Sequence, residues 1–300
     1  MTKASEFSAS TWYIATALYE TNSTELYKDA ILNDNFAANA IVVDSVQIGA
    51  RLSNNNYIGA DIAEFIFYNS DINTAQQTIV HNYLGAKYGI DITTSDLYAY
   101  ESAHEHDVAG IGRDDASNMH IRAFSSNIIG IGDPSSFDDG DFLLFGHDSV
   151  NYTNWTSSEL PGSDTNLLRI AREWRFDKTN DVGTVTVFLD TTILPSKSDS
   201  FSSYVVWVDG DGDFSSGSTE YSLTFDTNEG LFLVRNVTIN DGDFITAGIV
   251  RPLVQFKVDS SAVNEPVGTV SILLELNTPS TSDITVDYSI TGGTATGSGT

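Results

Sequence analysis

The 300-residue chain has no cysteine, 6 prolines, and only 14 lysines and arginines against 41 aspartates and glutamates. Without cysteine there is no disulfide, no thiolate-held zinc or iron–sulfur cluster and no thiol nucleophile. A formal net charge of -27 repels a phosphate backbone and excludes a nucleic-acid reader. No run of about 18 apolar residues occurs, so no segment reads as a membrane span. The opening MTKASEFSASTWYIA lacks the basic region and apolar stretch of a signal peptide. Together with the Gly/Thr-rich end TGGTATGSGT, it reads as a cut through a longer protein. The phosphate-loop, HExxH and GxSxG motifs are absent. Gly110-Ile111-Gly112-Arg113 lacks the third glycine and the following helix of a dinucleotide loop, and reads instead as strand positions where backbones approach closely. No nucleophile–base pair is legible, so the chain reads as non-catalytic.

Hydrophobic residues make up 41% of the chain and aromatics 11%, enough to build cores despite the charge. Short β-patterned runs bounded by Gly, Asn, Asp and Ser recur from end to end, which predicts an all-β protein of tandem sandwiches. Residues 184–189 place Val185, Val187 and Leu189 on one face, and residues 284–290 do the same with Ile284, Val286, Tyr288 and Ile290. Residues 270–276 alternate likewise. The run YVVWV (204–208) is apolar on both faces and reads as a central strand. DIAEFIFYNS (61–70) is expected to form a strand. One helix is expected over 74–88, capped by Asn73 with Gln76 at capping-box spacing and stopped by Gly89. Its apolar stripe is read as Ile79, Val80, Tyr83, Leu84 and Tyr88.

Three units are expected: 1–93, 94–250 and 251–300. Their net charges are -6, -18 and -3, so the acidity belongs mainly to the middle unit.

Each unit carries a resemblance. In residues 41–90, the Ile48-Gly49 strand, the Gly59 to Tyr68 run and the helix ending Tyr83-Leu84 to Tyr88-Gly89 resemble the C-terminal part of a laminin-G-like, concanavalin-type jelly roll of bacterial surface proteins. Residues 84–250, through KYGI, VAGIGRDD, FLLFGHD, RIAREWRF and VDGDGDFSSG, resemble a segment that follows it in large exported Bacteroidetes proteins, a domain without assigned chemistry. Residues 254–300, through Asn264-Glu265 and VDYSITGGTA, resemble the opening strands of a Calx-beta domain. That resemblance implies a calcium-ligand role for Glu265. Together the three imply an extracellular or cell-surface location, neighbouring domains of the same chain as partners, and an adhesive or spacer role. The alternative is a carbohydrate-binding module attached to a polysaccharide-degrading enzyme, with Trp12, Tyr13, Tyr57 or Tyr68 contacting the glycan.

The residues themselves point to one metal loop. Asp209, Asp211, Asp213 and Glu220 occupy the acidic positions 1, 3, 5 and 12 of a calcium loop, where a hard cation finds its oxygens. Phe214 stands where such a loop has glycine, and a strand rather than a helix leads in. A solvated Asp/Gly hairpin turn is the competing reading. Asp241-Gly242-Asp243 reads as a turn, and His104-Glu105-His106-Asp107 as a polar loop without a third ligand. His81 is expected to face solvent or a polar contact, and His147 has no partner in sequence.

Overall fold

The computed structural model describes residues 8–19, 22–37, 48–49, 57–198, 200–258, 260, 271–277, 283–289 and 291–292. Glu265 and the stretch around it lie outside the described residues. The fold is all-β, with several antiparallel sheets and one α-helix among the described residues.

A three-stranded sheet comes first: β1 (Ala15–Tyr19), β2 (Ser23–Lys28) and β3 (Ile31–Ala37). Helix α1 (Thr74–Tyr88) follows with the expected ends. Asn73 accepts from the Gln76 amide while the Gln76 side chain accepts from the Asn73 amide, and Gly89 closes the helix in the left-handed conformation at φ 62°.

The main body follows α1. Its strands are β4 (His106–Asp115), β5 (Asn118–His120), β6 (Arg122–Ser125), β7 (Ile129–Gly132), β8 (Asp141–His147), β9 (Trp155–Thr156), β10 (Leu167–Ile170), β11 (Trp174–Thr179), β12 (Thr184–Leu189), β13 (Ser203–Asp209), β14 (Thr219–Ser222), β15 (Thr224–Asp226), β16 (Leu231–Thr238) and β17 (Phe244–Val250). A nine-stranded sheet runs β14-β13-β17-β11-β8-β4-β5, with β10 pairing β17 and β9. A five-stranded sheet runs β15-β16-β12-β7-β6. Beyond the body, β18 (Val254–Phe256) pairs with β19 (Leu274–Leu276).

The two large sheets face each other as a sandwich. Ile111, Leu143, Phe145, Trp174, Phe176, Val206 and Val208 of one meet Ile129, Ile131, Val185, Val187 and Leu189 of the other. The larger sheet is covered on its outer face as well. Ala75, Ile79 and Ala86 of α1 pack on Val108, Phe142 and Leu144. Leu160, Leu167 and Phe214 pack on Val205, Trp207, Phe244 and Val250. Double coverage explains why β8 and β13 are apolar at successive positions, since alternate residues enter different cores.

Strands β10 and β11 are one strand interrupted at 171–173. Both pair with β17, and the Thr246 hydroxyl spans the interruption by reaching the carbonyls of Ile170 (3.1 Å) and Arg172 (2.9 Å). The paired glycines of β4 and β7 lie in different sheets. One glycine of each pair admits a close backbone and the other a side chain: a Cβ on Gly110 would meet the Leu143 carbonyl and one on Gly132 the Ile121 carbonyl, whereas one on Gly112 would meet the Phe142 ring and one on Gly130 the Phe124 ring.

The structure corrects several local expectations. Helix α1 buries Ala75, Gln77, Ile79, His81, Asn82, Gly85 and Ala86, not the single stripe read from apolar residues. It is covered on two sides, by the body and by the three-stranded sheet, where His81 Nε2 meets Thr16 Oγ1 at 3.0 Å. Residues 61–70 are not a strand. Ile62, Phe65, Phe67 and Tyr68 are exposed, and Glu64 instead receives hydrogen bonds from Tyr83, Lys87 and Tyr88 of α1. Residues 283–289 carry no strand assignment, and Ile284, Val286 and Tyr288 are exposed.

Candidate functional site

The acidic loop joins β13 to β14 at one end of the sandwich. Each aspartate bends the chain ahead of it. Asp209 Oδ1 accepts from the amides of Asp211 and Gly212, both at 2.8 Å, Asp211 Oδ1 from Asp213 at 2.9 Å, and Asp213 Oδ1 from Ser215 at 3.0 Å. This is the Asx-turn chemistry of hairpin loops. It leaves the second oxygen of each carboxylate free of these turns.

Phe214 is fully buried in the outer core. The residue that breaks the calcium-loop pattern is therefore the anchor that fastens the loop to the sheet. Gly212 and Gly217 supply the left-handed turns around it, at φ 86° and 83°. Glu220 stands on β14 opposite Trp207 and accepts its indole N–H at 3.1 Å, away from the three aspartates in register. Among the described residues no three acidic or histidine side chains are gathered as a metal-ligand group.

Burial raises the Asp209 carboxyl above its ordinary range; the Asp211 and Gly212 amides oppose the shift, and the Asp211 carboxylate adds to it. Asp209 itself is 4% exposed. Asp243 and Asp241 belong to the neighbouring turn. Asp243 accepts from the Asn240 amide at 2.7 Å and Asp241 from the Lys178 amide at 3.0 Å, as expected of a turn.

A second constellation is invisible in the linear sequence. Pairing of β4 with β8 sets His106 opposite His147, their rings stacked with centroids 5.5 Å apart, and pairing of β8 with β11 sets His147 opposite Trp174. Asp107 then lies 3.3 Å from His147 Nε2, and Ser126, in the turn after β6, places its hydroxyl 2.6 Å from Asp107 Oδ2 and 2.7 Å from His147 Nε2. Ser125 Oγ accepts the Trp174 indole N–H at 2.9 Å and donates to the Asp107 carbonyl at 2.8 Å.

The residue types are those of a serine hydrolase triad, but the wiring differs. His147 Nδ1 accepts the Ser149 amide at 2.9 Å, so the ring's lone pair is occupied and its proton sits on Nε2. Nε2 therefore donates toward Ser126 and Asp107, and the Ser126 hydroxyl donates to Asp107. A triad requires the reverse, an imidazole lone pair aimed at the serine hydroxyl. The hydrogen bonds from His147 and Ser126 hold the Asp107 carboxyl well below the usual carboxylate range, although burial opposes them. An open cavity of about 280 Å³ adjoins this cluster, bordered by Tyr83, Asp107, Phe124, Ser126 and Asn127.

The third polar cluster lies at the interruption between β10 and β11. Arg169 is 3% exposed and bonds the carbonyls of Ser158 and Ile170, Glu159, and Glu173 at 3.0 Å. Its guanidinium also lies over the Phe214 ring, 5.0 Å from the centroid. The segment is interior, with Ile170 and Trp174 fully buried on either side of the interruption. Burial pushes Glu173 up to about 7 against the opposing pull of Arg169.

The aromatics named for glycan contact lie outside the sandwich. Trp12, Tyr57 and Tyr68 are exposed, while Tyr13 is partly covered, with Lys28 4.4 Å above its ring.

Sandwich, helix and polar clusters together define an all-β module. Residues 76–243, from the first turn of α1 to the start of β17, match the family described as Domain of unknown function (DUF8202), and the chain belongs to that family. No curated protein and no solved structure matches it.

Proposed function

We propose that this chain is a non-catalytic segment of an exported, cell-surface multidomain protein, serving as a spacer or adhesive module whose acidic loop is stabilised by calcium. The observation that carries this reading is the closure of each polar cluster on its own backbone. The His147 lone pair is held by Ser149, Arg169 is saturated by carbonyls and glutamates, and the aspartates of the 209–213 loop shape the chain with one oxygen apiece. Such clusters stiffen a scaffold. They offer no base or nucleophile free to react.

Calcium fits the loop through the second oxygens of Asp209, Asp211 and Asp213, where a cation would offset the burial, and the smaller effect of the Asp211 carboxylate, that raise the Asp209 carboxyl. Glu220 would join only by leaving Trp207, and Glu265 would contribute to a separate site. Thermal melting in millimolar calcium against EDTA tests the claim. Calcium is expected to raise the transition by about 2–4 °C, the shift that ~1 kcal/mol produces in a domain of this size. The double variant Asp211→Asn, Asp213→Asn keeps the oxygens that accept amides and should lose the response. Identical curves in calcium and EDTA would remove the cation from the proposal.

Exposure of Trp12 at 55% and Tyr57 at 75% favours a second reading, a glycan-contacting face on the N-terminal segment. A polysaccharide array probed with the whole chain separates the two. Binding abolished by Trp12→Ala and Tyr57→Ala supports the glycan reading, and an array without signal refutes it.

A further inference from the structure

We propose that the Asp133–Pro134 peptide bond is a self-scission site, cut by the Asp133 carboxyl when the surroundings turn acidic. This goes beyond the scaffold role and does not depend on it.

The chain contains one Asp-Pro dipeptide. It occurs where the backbone is strained. Asp133 has φ 50°, in the left-handed region; aspartate visits that region more readily than most residues, but a following proline steers the residue before it toward extended geometry instead. Its neighbours prevent relaxation. On one side Gly132 is paired with Arg122 of β6 and with Thr186 of β12. On the other, the Ser135 amide donates to Thr184 at 2.8 Å and the Ser136 amide to Val182 at 3.2 Å. Ser135 Oγ also accepts the Thr184 amide at 2.7 Å. The facing position must be glycine, because a Cβ on Gly183 would collide with the Ser135 side chain. Two residues thus bridge two pinned stretches, and strain of this kind concentrates at sites of chemistry.

The chemistry needs no partner other than water. Asp133 is exposed, and no hydrogen bond from the described residues ties its carboxyl. A carboxyl oxygen of Asp133 attacks the main-chain carbonyl carbon of the same residue, closing a succinic anhydride ring. The C–N bond breaks with its electron pair on the Pro134 nitrogen, which takes up the proton brought by the carboxyl. Proline favours this step because its tertiary amide nitrogen is a better proton acceptor than a secondary one. Water then opens the anhydride, leaving an α-carboxylate on Asp133 and a free imino terminus on Pro134. Nothing is oxidised or reduced. Cleavage releases the left-handed constraint, so the folded chain favours the cut.

The two fragments would remain joined after scission. Helix α1 and β4–β7 lie on one fragment, yet β4 pairs with β8 and β7 with β12 on the other. The nick is therefore silent under native conditions.

The test incubates the full chain at mildly acidic pH, once folded and once unfolded in urea, and reads fragment masses after denaturation. Scission between Asp133 and Pro134 is expected to run at least about tenfold faster in the folded chain, the factor that ~1.4 kcal/mol of relieved strain supplies. Asp133→Asn, whose side chain tolerates the left-handed conformation, should fold and stay intact. Equal or slower cutting in the folded state, no cutting there at all, or scission of the Asn variant at the same bond would each overturn the proposal.

Discussion

Residues 184–189 (TVTVFL) and 284–289 (ITVDYS) show the same alternation of apolar and polar side chains, yet the structure treats them oppositely. The first is β12, held between β16 and β7, with Val185, Val187 and Leu189 against the facing sheet and Phe188 buried on the other side beneath the Arg122 guanidinium, 4.0 Å from its ring centroid. The second has no ladder among the described residues and exposes Tyr288 at 87%. Alternation specifies a face that can be buried. Burial itself requires a second layer, and only then does apolar area contribute its roughly 25 cal/mol per Å².

The sharpest way to break this comparison is to remove a side chain from the double-layered body. Trp174 is fully buried, faces the opposite sheet and hydrogen-bonds Ser125. Trp174→Ala should cost about 3–5 kcal/mol, measured by urea unfolding. A loss below about 1 kcal/mol would show that the two sheets are not packed as described.

A smaller effect comes from the buried carboxyl of the same body. Because Glu173 is pushed up to about 7, the folded state holds a proton that the unfolded chain releases near the ordinary glutamate value of about 4.3. Stability should therefore fall as pH rises between those values, with a slope approaching that of one proton. Glu173→Gln should flatten that part of the profile. An unchanged slope in the variant would assign the proton elsewhere. Asp107 has the opposite sign, since its carboxyl is held low and its contribution is lost only on acidification.

The smallest expected effect belongs to the exposed segment. Tyr288→Ser should change unfolding free energy by no more than about 0.5 kcal/mol, as surface substitutions do. A large loss would mean that Tyr288 is packed in solution, and the contrast with β12 would collapse.

How far the fold was legible follows from how local each determinant is. The capping box of α1 depends on residues three apart, and its glycine stop on one backbone conformation, so both were readable directly. YVVWV was readable as a doubly covered strand because both of its faces are apolar. The second face of α1 was not readable. Gln77, His81 and Asn82 are polar by composition and buried by position, and burial takes His81 down to about 4. The apolar run 61–70 misled in the other direction, since apolar residues announce a capacity for burial and cannot supply the layer that covers them.

The candidate sites divide the same way. Asp209, Asp211 and Asp213 are close because they are adjacent in sequence, and the chain of Asx turns follows from that spacing. Ser126, His147 and Asp107 meet only through the register of β4 on β8 and the turn after β6. No spacing along the chain encodes that meeting.

By itself the sequence determined the β alternation, the helix ends and the acidic loop, all consequences of residues within a few positions of one another. The tertiary structure alone decided which alternating faces are buried, which way the His147 lone pair points, and that Phe214 is an anchor rather than a defect in a metal loop. The reason is physical: propensity and turn chemistry act over one or two turns of chain, whereas desolvation and hydrogen-bond direction depend on what a distant strand brings into contact.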